Sequence, residues 1–127
     1  MASVRQIQVS FDCAEPPRVA RFWCEVLGYI PAADADEEWA ACHDPTGAGP
    51  RLFFQRVPEG KTVKNRVHLD VRVGTGLKGA ERLAALEAEG TRLEALGASR
   101  VRLLPADEEN ESCLVMRDVE GNEFCLD

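Results

Sequence analysis

His68 is the residue of this 127-residue chain most open to a chemical role. It lies in Val67-His68-Leu69-Asp70-Val71-Arg72-Val73, where apolar and polar residues alternate at period two, the pattern of a strand with one buried face. An imidazole titrates near about 6.5, so His68 either moves a proton at cytoplasmic pH or rests as a hydrogen-bonded sheet histidine. Cys125, in Glu123-Phe124-Cys125-Leu126, also has two readings. A thiolate beside an imidazole is an activated nucleophile, whereas a thiol packed in an apolar strand is an inert small hydrophobe. Nothing in the sequence supplies the positive surroundings that would lower its pKa. Glu123 is either a ligand-facing carboxylate or a solvated one. His43 lies beside a turn and reads as surface, while Asp70 and Asp118 read as structural, the latter capping its own turn.

These side chains need a scaffold, and the size and composition of the chain bound it. The length is that of one domain with a real core, so any internal repeat must share that core. Hydrophobic residues at 45% and charged residues at 29% place the chain among soluble globular proteins. A net charge of -7 argues against a nucleic-acid partner, which needs a clustered positive field. Arg51, Arg56, Lys61, Lys64 and Arg66 form a local basic run that reads as a solvated face or as the seat of a small anionic ligand. No apolar run approaches the roughly 20 residues that span a bilayer, and the N-terminus lacks a secretory build. Cysteines at 13, 24, 42, 113 and 125 have no C-x-x-C spacing, so reduced thiols and a cytoplasmic location are expected.

The elements follow from period and punctuation. Alternation over Gln6–Asp12 predicts a first strand. Pro16-Pro17 then opens a helix with Val19, Phe22, Trp23, Val26 and Leu27 on one face, and Gly28 ends it. Short strands follow at 29–32 and 38–43, then a turn-rich stretch. Arg51–Val57 is apolar on both faces and so is expected to be buried within a sheet. Residues 58–65 are the candidate linker. After the strand at His68, leucines and alanines recur at helical spacing from Leu77 to Leu96, interrupted at Gly90-Thr91, which predicts one kinked helix or two short ones. Strands are expected at 99–104, 112–117 and 123–126. The halves share one order: strand, helix ending in Leu-Gly, two strands, an Asp-x-x-Gly turn, a final strand. The expected fold is therefore α+β, with tandem βαβββ modules (about 4–60 and 65–127) in a single 1–127 domain, forming a curved mixed sheet around a cleft.

In this order the chain resembles the vicinal oxygen chelate superfamily, the glyoxalase/bleomycin-resistance/dioxygenase group, and more narrowly its small glyoxalase-like domains. The resemblance is carried by Phe22-Trp23-x-x-x-Leu27-Gly28, Phe54-Gln55-Arg56-Val57-Pro58-Glu59, Asn65-Arg66-Val67-His68-Leu69-Asp70-Val71, Leu96-Gly97-Ala98 and Asp118-x-Glu120-Gly121-Asn122-Glu123-Phe124-Cys125. It implies metal ligands from the first and last strands of each half, which here are Gln8, Gln55, His68 and Cys125. Cys125 stands where the family has glutamate, and Glu123 is the nearest carboxylate. Two amides, a thiol and one imidazole make a poor hard-metal set, so a degenerate metal site is expected. No cofactor is then implied, a divalent metal being the alternative. The resemblance also implies a homodimer.

Three functions follow. The first is a binding module holding a small apolar or aromatic molecule with Trp39, Phe53 and Phe54, oriented by Gln8, Gln55 and His68. The second is a lyase or isomerase acting on a small carbonyl or enolisable substrate, with His68 as acid and base. The third is an interaction protein with a cleft filled by its own side chains. No membrane or nucleic-acid partner is expected.

Overall fold

The computed structural model describes residues 2–127 and divides into two compact units, one through Gly60 and one from Lys61 to Asp127. The first unit contains β1 (Gln8–Cys13), α1 (Pro16–Leu27), β2 (Ile30–Pro31), β3 (Trp39–His43) and β4 (Arg51–Arg56). Its four strands lie in the order β1-β4-β3-β2, with β1 parallel to β4 and the other neighbours antiparallel. β4 is central in the sheet but is not buried on both faces as its sequence suggests: Leu52 and Phe54 are buried, Phe53 is part-exposed, and Arg51, Gln55 and Arg56 are exposed. One face of the sheet carries Leu52, Phe54, Ala40 and Cys42 and is buried under α1, which packs on β3 and β4.

The first helix forms where proline sets φ without losing a needed donor, since the first amides of a helix have no partner within it. Gly28 stops the helix at φ 68, and the next amide, Tyr29 N, bonds the Cys24 carbonyl at 3.1 Å. Its stripe is core as expected. Trp23 meets Phe11 at 5.5 Å and Phe22 edge-on at 5.6 Å between ring centres, and Phe11 meets Phe54 at 5.1 Å. The buried Phe22, Trp23 and Phe54 each contribute roughly 1.5–3 kcal/mol of apolar burial, and the half-buried Phe11 less.

The second unit repeats the plan with β5 (Asp70–Val71), α2 (Gly79–Ala95), β6 (Ser99–Leu104), β7 (Cys113–Arg117) and β8 (Glu123–Leu126), in the order β5-β8-β7-β6. Strand for strand this is the first unit's order, with β5 parallel to β8. The α+β class and the repeated βαβββ order are thus those the sequence indicates.

Two local expectations change. The strand expected over 67–73 shrinks to Asp70–Val71, and Val67 is 79% exposed where alternation would bury it. The Asn65 side chain has taken over the pairing there. Its Oδ1 accepts from Glu123 N at 2.8 Å and its Nδ2 donates to the Glu123 carbonyl at 3.1 Å, so an amide side chain replaces a ladder residue beside β8. The second change is in α2, which runs unbroken through Gly90-Thr91. Gly90 is there for packing: a Cβ on it would lie 2.7 Å from Leu114 Cδ2. Near the start of this helix the buried Arg82 donates to the Ser112 carbonyl from Nε (3.1 Å) and Nη2 (2.9 Å) and to the Gly74 carbonyl from Nη1 (3.0 Å), tying α2 to the segments after β5 and before β7.

Candidate functional site

In the first unit, the pleat sorts the expected ligand-binding residues. The face away from α1 carries Gln8 from β1, Trp39 from β3, and Phe53 and Gln55 from β4. The register Ser10↔Phe53, Asp12↔Gln55 and Trp39↔Gln55 makes them neighbours. Trp39 and Phe53 stack with ring centres 5.9 Å apart and planes 12° from parallel. Arg51 places its guanidinium carbon 5.5 Å from the Phe53 centre and donates to Gln8 Oε1 at 2.8 Å. Both rings stay partly exposed, so the platform can take a further planar group. Phe54 does not belong to it. It is fully buried against Phe11 beneath α1, because adjacent residues of a strand point to opposite faces. Its proposed role as a ligand contact is therefore corrected to core.

In the second unit, His68 precedes β5 and is half exposed, with Nε2 3.2 Å from Asp70 Oδ1. Asp70 is the cross-strand partner of Cys125, which places both on the face away from α2. One ligand atom each from His68, Asp70 and Cys125 lies within 4.8 Å of the others. Cys113, on the neighbouring β7, shares a hydrogen bond with the Cys125 thiol. Burial, chiefly, pushes the Cys125 thiol up to about 12, and the Cys113 contact and the Asp70 charge add to the rise. Such a thiol stays protonated at neutral pH, which disfavours the nucleophile reading. Glu123 lies apart from this group. Its backbone is held by Asn65, and its mostly buried carboxylate is 3.5 Å from Lys64 Nζ.

The sequence reading missed Asp70 as a site residue, although the His68-x-Asp70 spacing on one strand face was the signal. Cys113 gave no comparable signal, because its nearness to Cys125 depends on the pairing of β7 with β8. Two cavities lie elsewhere. One of about 280 Å³ in the first unit is lined by Glu15, Arg18, Arg21, Glu37 and Arg56, and one of about 290 Å³ in the second by Lys61, Lys64, Arg117, Glu120 and Glu123. Of the candidate residues, Glu123 alone lines either.

The ligand set implied by resemblance takes Gln8 and Gln55 from the first unit and His68 and Cys125 from the second. Gln8 and Gln55 offer only neutral carbonyl oxygens, the set has no carboxylate, and the Cys125 thiol is too soft a donor for a hard cation such as Mn²⁺. The implied set does not fit that group.

Two mixed four-stranded sheets, each with one helix and the same strand order, define a protein of the vicinal oxygen chelate class. The chain belongs to the glyoxalase-like domain family, whose profile matches residues 8–126. No curated protein matches its sequence. Solved structures of similar fold include a glyoxalase/bleomycin resistance protein/dioxygenase family enzyme from Burkholderia phytofirmans, with 14% identity, 94% of each chain covered and a TM-score of 0.67. The protein ATC0852 from Agrobacterium tumefaciens has 16% identity, covers 98% of this chain and 96% of its own, and has a TM-score of 0.70. A mutant of the fosfomycin resistance protein FosX from Listeria monocytogenes, complexed with Mn(II) and 1S,2S-dihydroxypropylphosphonic acid, has 11% identity, coverage of 99% and 90%, and a TM-score of 0.70.

Proposed function

We propose that this glyoxalase-like protein binds a small organic molecule with a planar apolar part, seated on the Trp39–Phe53 platform of the first unit. The observation that carries the reading is the near-parallel, part-exposed stack bordered by a guanidinium and two amides. The rings supply non-polar area at little entropic cost, and Arg51 suits a carboxylate or other anionic substituent on the ligand. Gln8 and Gln55 fix its orientation. The five free cysteines support a reducing compartment such as the cytoplasm. Among the described residues, no helix is long and apolar enough to cross a membrane.

Tryptophan fluorescence tests the reading, because Trp23 is 1% exposed and Trp39 is the indole a ligand can reach. Titration with planar aromatic acids should give saturable quenching. Phe53→Ala should weaken it about tenfold, near 1.4 kcal/mol, at unchanged circular dichroism. Quenching of equal strength in that variant counts against the platform.

A second reading, a lyase or isomerase, is favoured by one contact. Asp70 is placed to orient the His68 imidazole, as a carboxylate does for a general base. His68→Gln should abolish turnover of an enolisable substrate with folding intact, and undiminished turnover removes this reading.

A further inference from the structure

We infer that the molecule seated on the Trp39–Phe53 platform is dipolar: an aromatic ring with an anionic group at the Arg51 end of the first sheet and an ammonium group at the Asp12 end. This rests on the platform reading and adds to it the charge at the ligand's far end.

Register is the first argument. Gln8 pairs with Arg51, Ser10 with Phe53 and Asp12 with Gln55, so these residues share the face away from α1, where Trp39, the β3 partner of Gln55, joins them. From residue 8 to residue 12 the strand advances roughly 13 Å, which puts Arg51 and Asp12 at opposite ends of that face with the rings between them. Both are exposed. The Arg51 guanidinium leans inward until its carbon is 5.5 Å from the Phe53 centre. Asp12 lies diagonally across from Phe53, two residues beyond that ring's own partner. The two charges therefore bracket a ring laid on the platform.

Segregation of charge is the second argument. At the Arg51 end, the alternation of β3 brings His43 to the same face as Trp39. The carboxylate that follows it, Asp44, is taken up by its own turn, accepting from Thr46 N at 2.8 Å, Thr46 Oγ1 at 2.7 Å and Gly49 N at 2.7 Å. Arg51 spends one donor on Gln8 and keeps the rest of its fork for an anion. At the other end, the Asp12 carboxylate has no hydrogen-bond or ion-pair partner among the described residues. The Asp36 carboxylate adds negative charge beside Trp39, accepting from that residue's backbone N at 3.1 Å. Arg56 does not neutralise this end, because it follows Gln55 in β4 and pairs with Glu38 at 3.3 Å. A ligand that is only an anion is repelled at Asp12, and one that is only a cation is repelled at Arg51. A dipolar ligand matches both ends and can lie in one direction only.

Probes of one shape and different charge test it: para-(aminomethyl)benzoate, para-methylbenzoate, para-methylbenzylamine and the neutral para-methylbenzyl alcohol, each titrated while the Trp39 indole NMR signal is followed. The dipolar probe should bind at least about threefold more tightly than either singly charged one, the scale of a part-exposed ion pair. Asp12→Asn should bring para-(aminomethyl)benzoate and para-methylbenzoate to equal affinity. Arg51→Gln should do the same for para-(aminomethyl)benzoate and para-methylbenzylamine. In the parent protein, added salt should shrink the advantage of the dipolar probe, a readout that needs no variant. The inference is overturned if that probe binds no more tightly than para-methylbenzoate, if its advantage survives Asp12→Asn, or if salt leaves the advantage intact. Should the neutral alcohol saturate the Trp39 signal while the charged probes gain nothing over it, the platform stands and this inference falls. Should no probe move Trp39, both fall.

Discussion

Asn65 and Arg82 show how single polar side chains hold the second unit together. Asn65 gives β8 the donor and acceptor that a longer β5 would have supplied. Asn65→Ala should therefore cost roughly 1–3 kcal/mol in urea unfolding, through two lost bonds to the Glu123 backbone. Arg82 is 8% exposed and serves two carbonyls, so Arg82→Met should cost about 2–4 kcal/mol by leaving both unpaired, and Arg82→Lys should recover only part. In the first unit, burial first and the nearby Cys24 second raise the Cys42 thiol from its ordinary value of 9.0 to about 12. A raised pKa means that the unfolded chain gives up this proton before the folded one does. Its contribution is complete below about pH 9 and drains away as pH rises toward 12. Urea midpoints should thus fall between pH 9 and 11 more steeply in the parent than in Cys42→Ala, and parallel slopes would contradict the assignment.

At the scale of elements, Gly90 separates propensity from packing. An isolated helix would gain up to about 1 kcal/mol from Gly90→Ala, yet the new Cβ would press on Leu114 and on Arg100, which is held by ion pairs with Glu87 and Glu94. A net loss of roughly 1 kcal/mol is expected, and a thermal melt showing stabilisation would refute the close approach. Element order, the stops at Leu27-Gly28 and Leu96-Gly97, and the core stripe of α1 were readable because each is a local pattern. The shortness of β5 was not, because it depends on Asn65 reaching Glu123, 58 residues away. The Phe53–Phe54 pair was ambiguous for a similar reason. An apolar run fits either parity, and only the register with β1 and β3 decides which ring lies under α1. Gln8 and Gln55 were reached through the resemblance alone, and their sharing a face with Trp39, like the Asp70–Cys125 pairing, needed the sheet register.

For the whole molecule, duplication explains why chemistry can differ between units of one plan. Equivalent strands offer aromatic rings and amides in one and an imidazole, a carboxylate and thiols in the other. The homodimer implied by the resemblance is a proposal at this scale, and sedimentation should report about twice the 14.0 kDa chain mass. The claim on which the functional account rests most is that the first unit's aromatic platform is where an organic ligand sits. An amide and indole NMR titration of labelled protein with a planar aromatic acid tests it most directly. The account predicts that the Trp39 indole, the Phe53 amide and the Gln55 side-chain amide shift together and saturate, with the Trp23 indole unmoved. Shifts confined to the arginine-lined cavity around Arg18 and Arg21, with Trp39 unchanged, would contradict it.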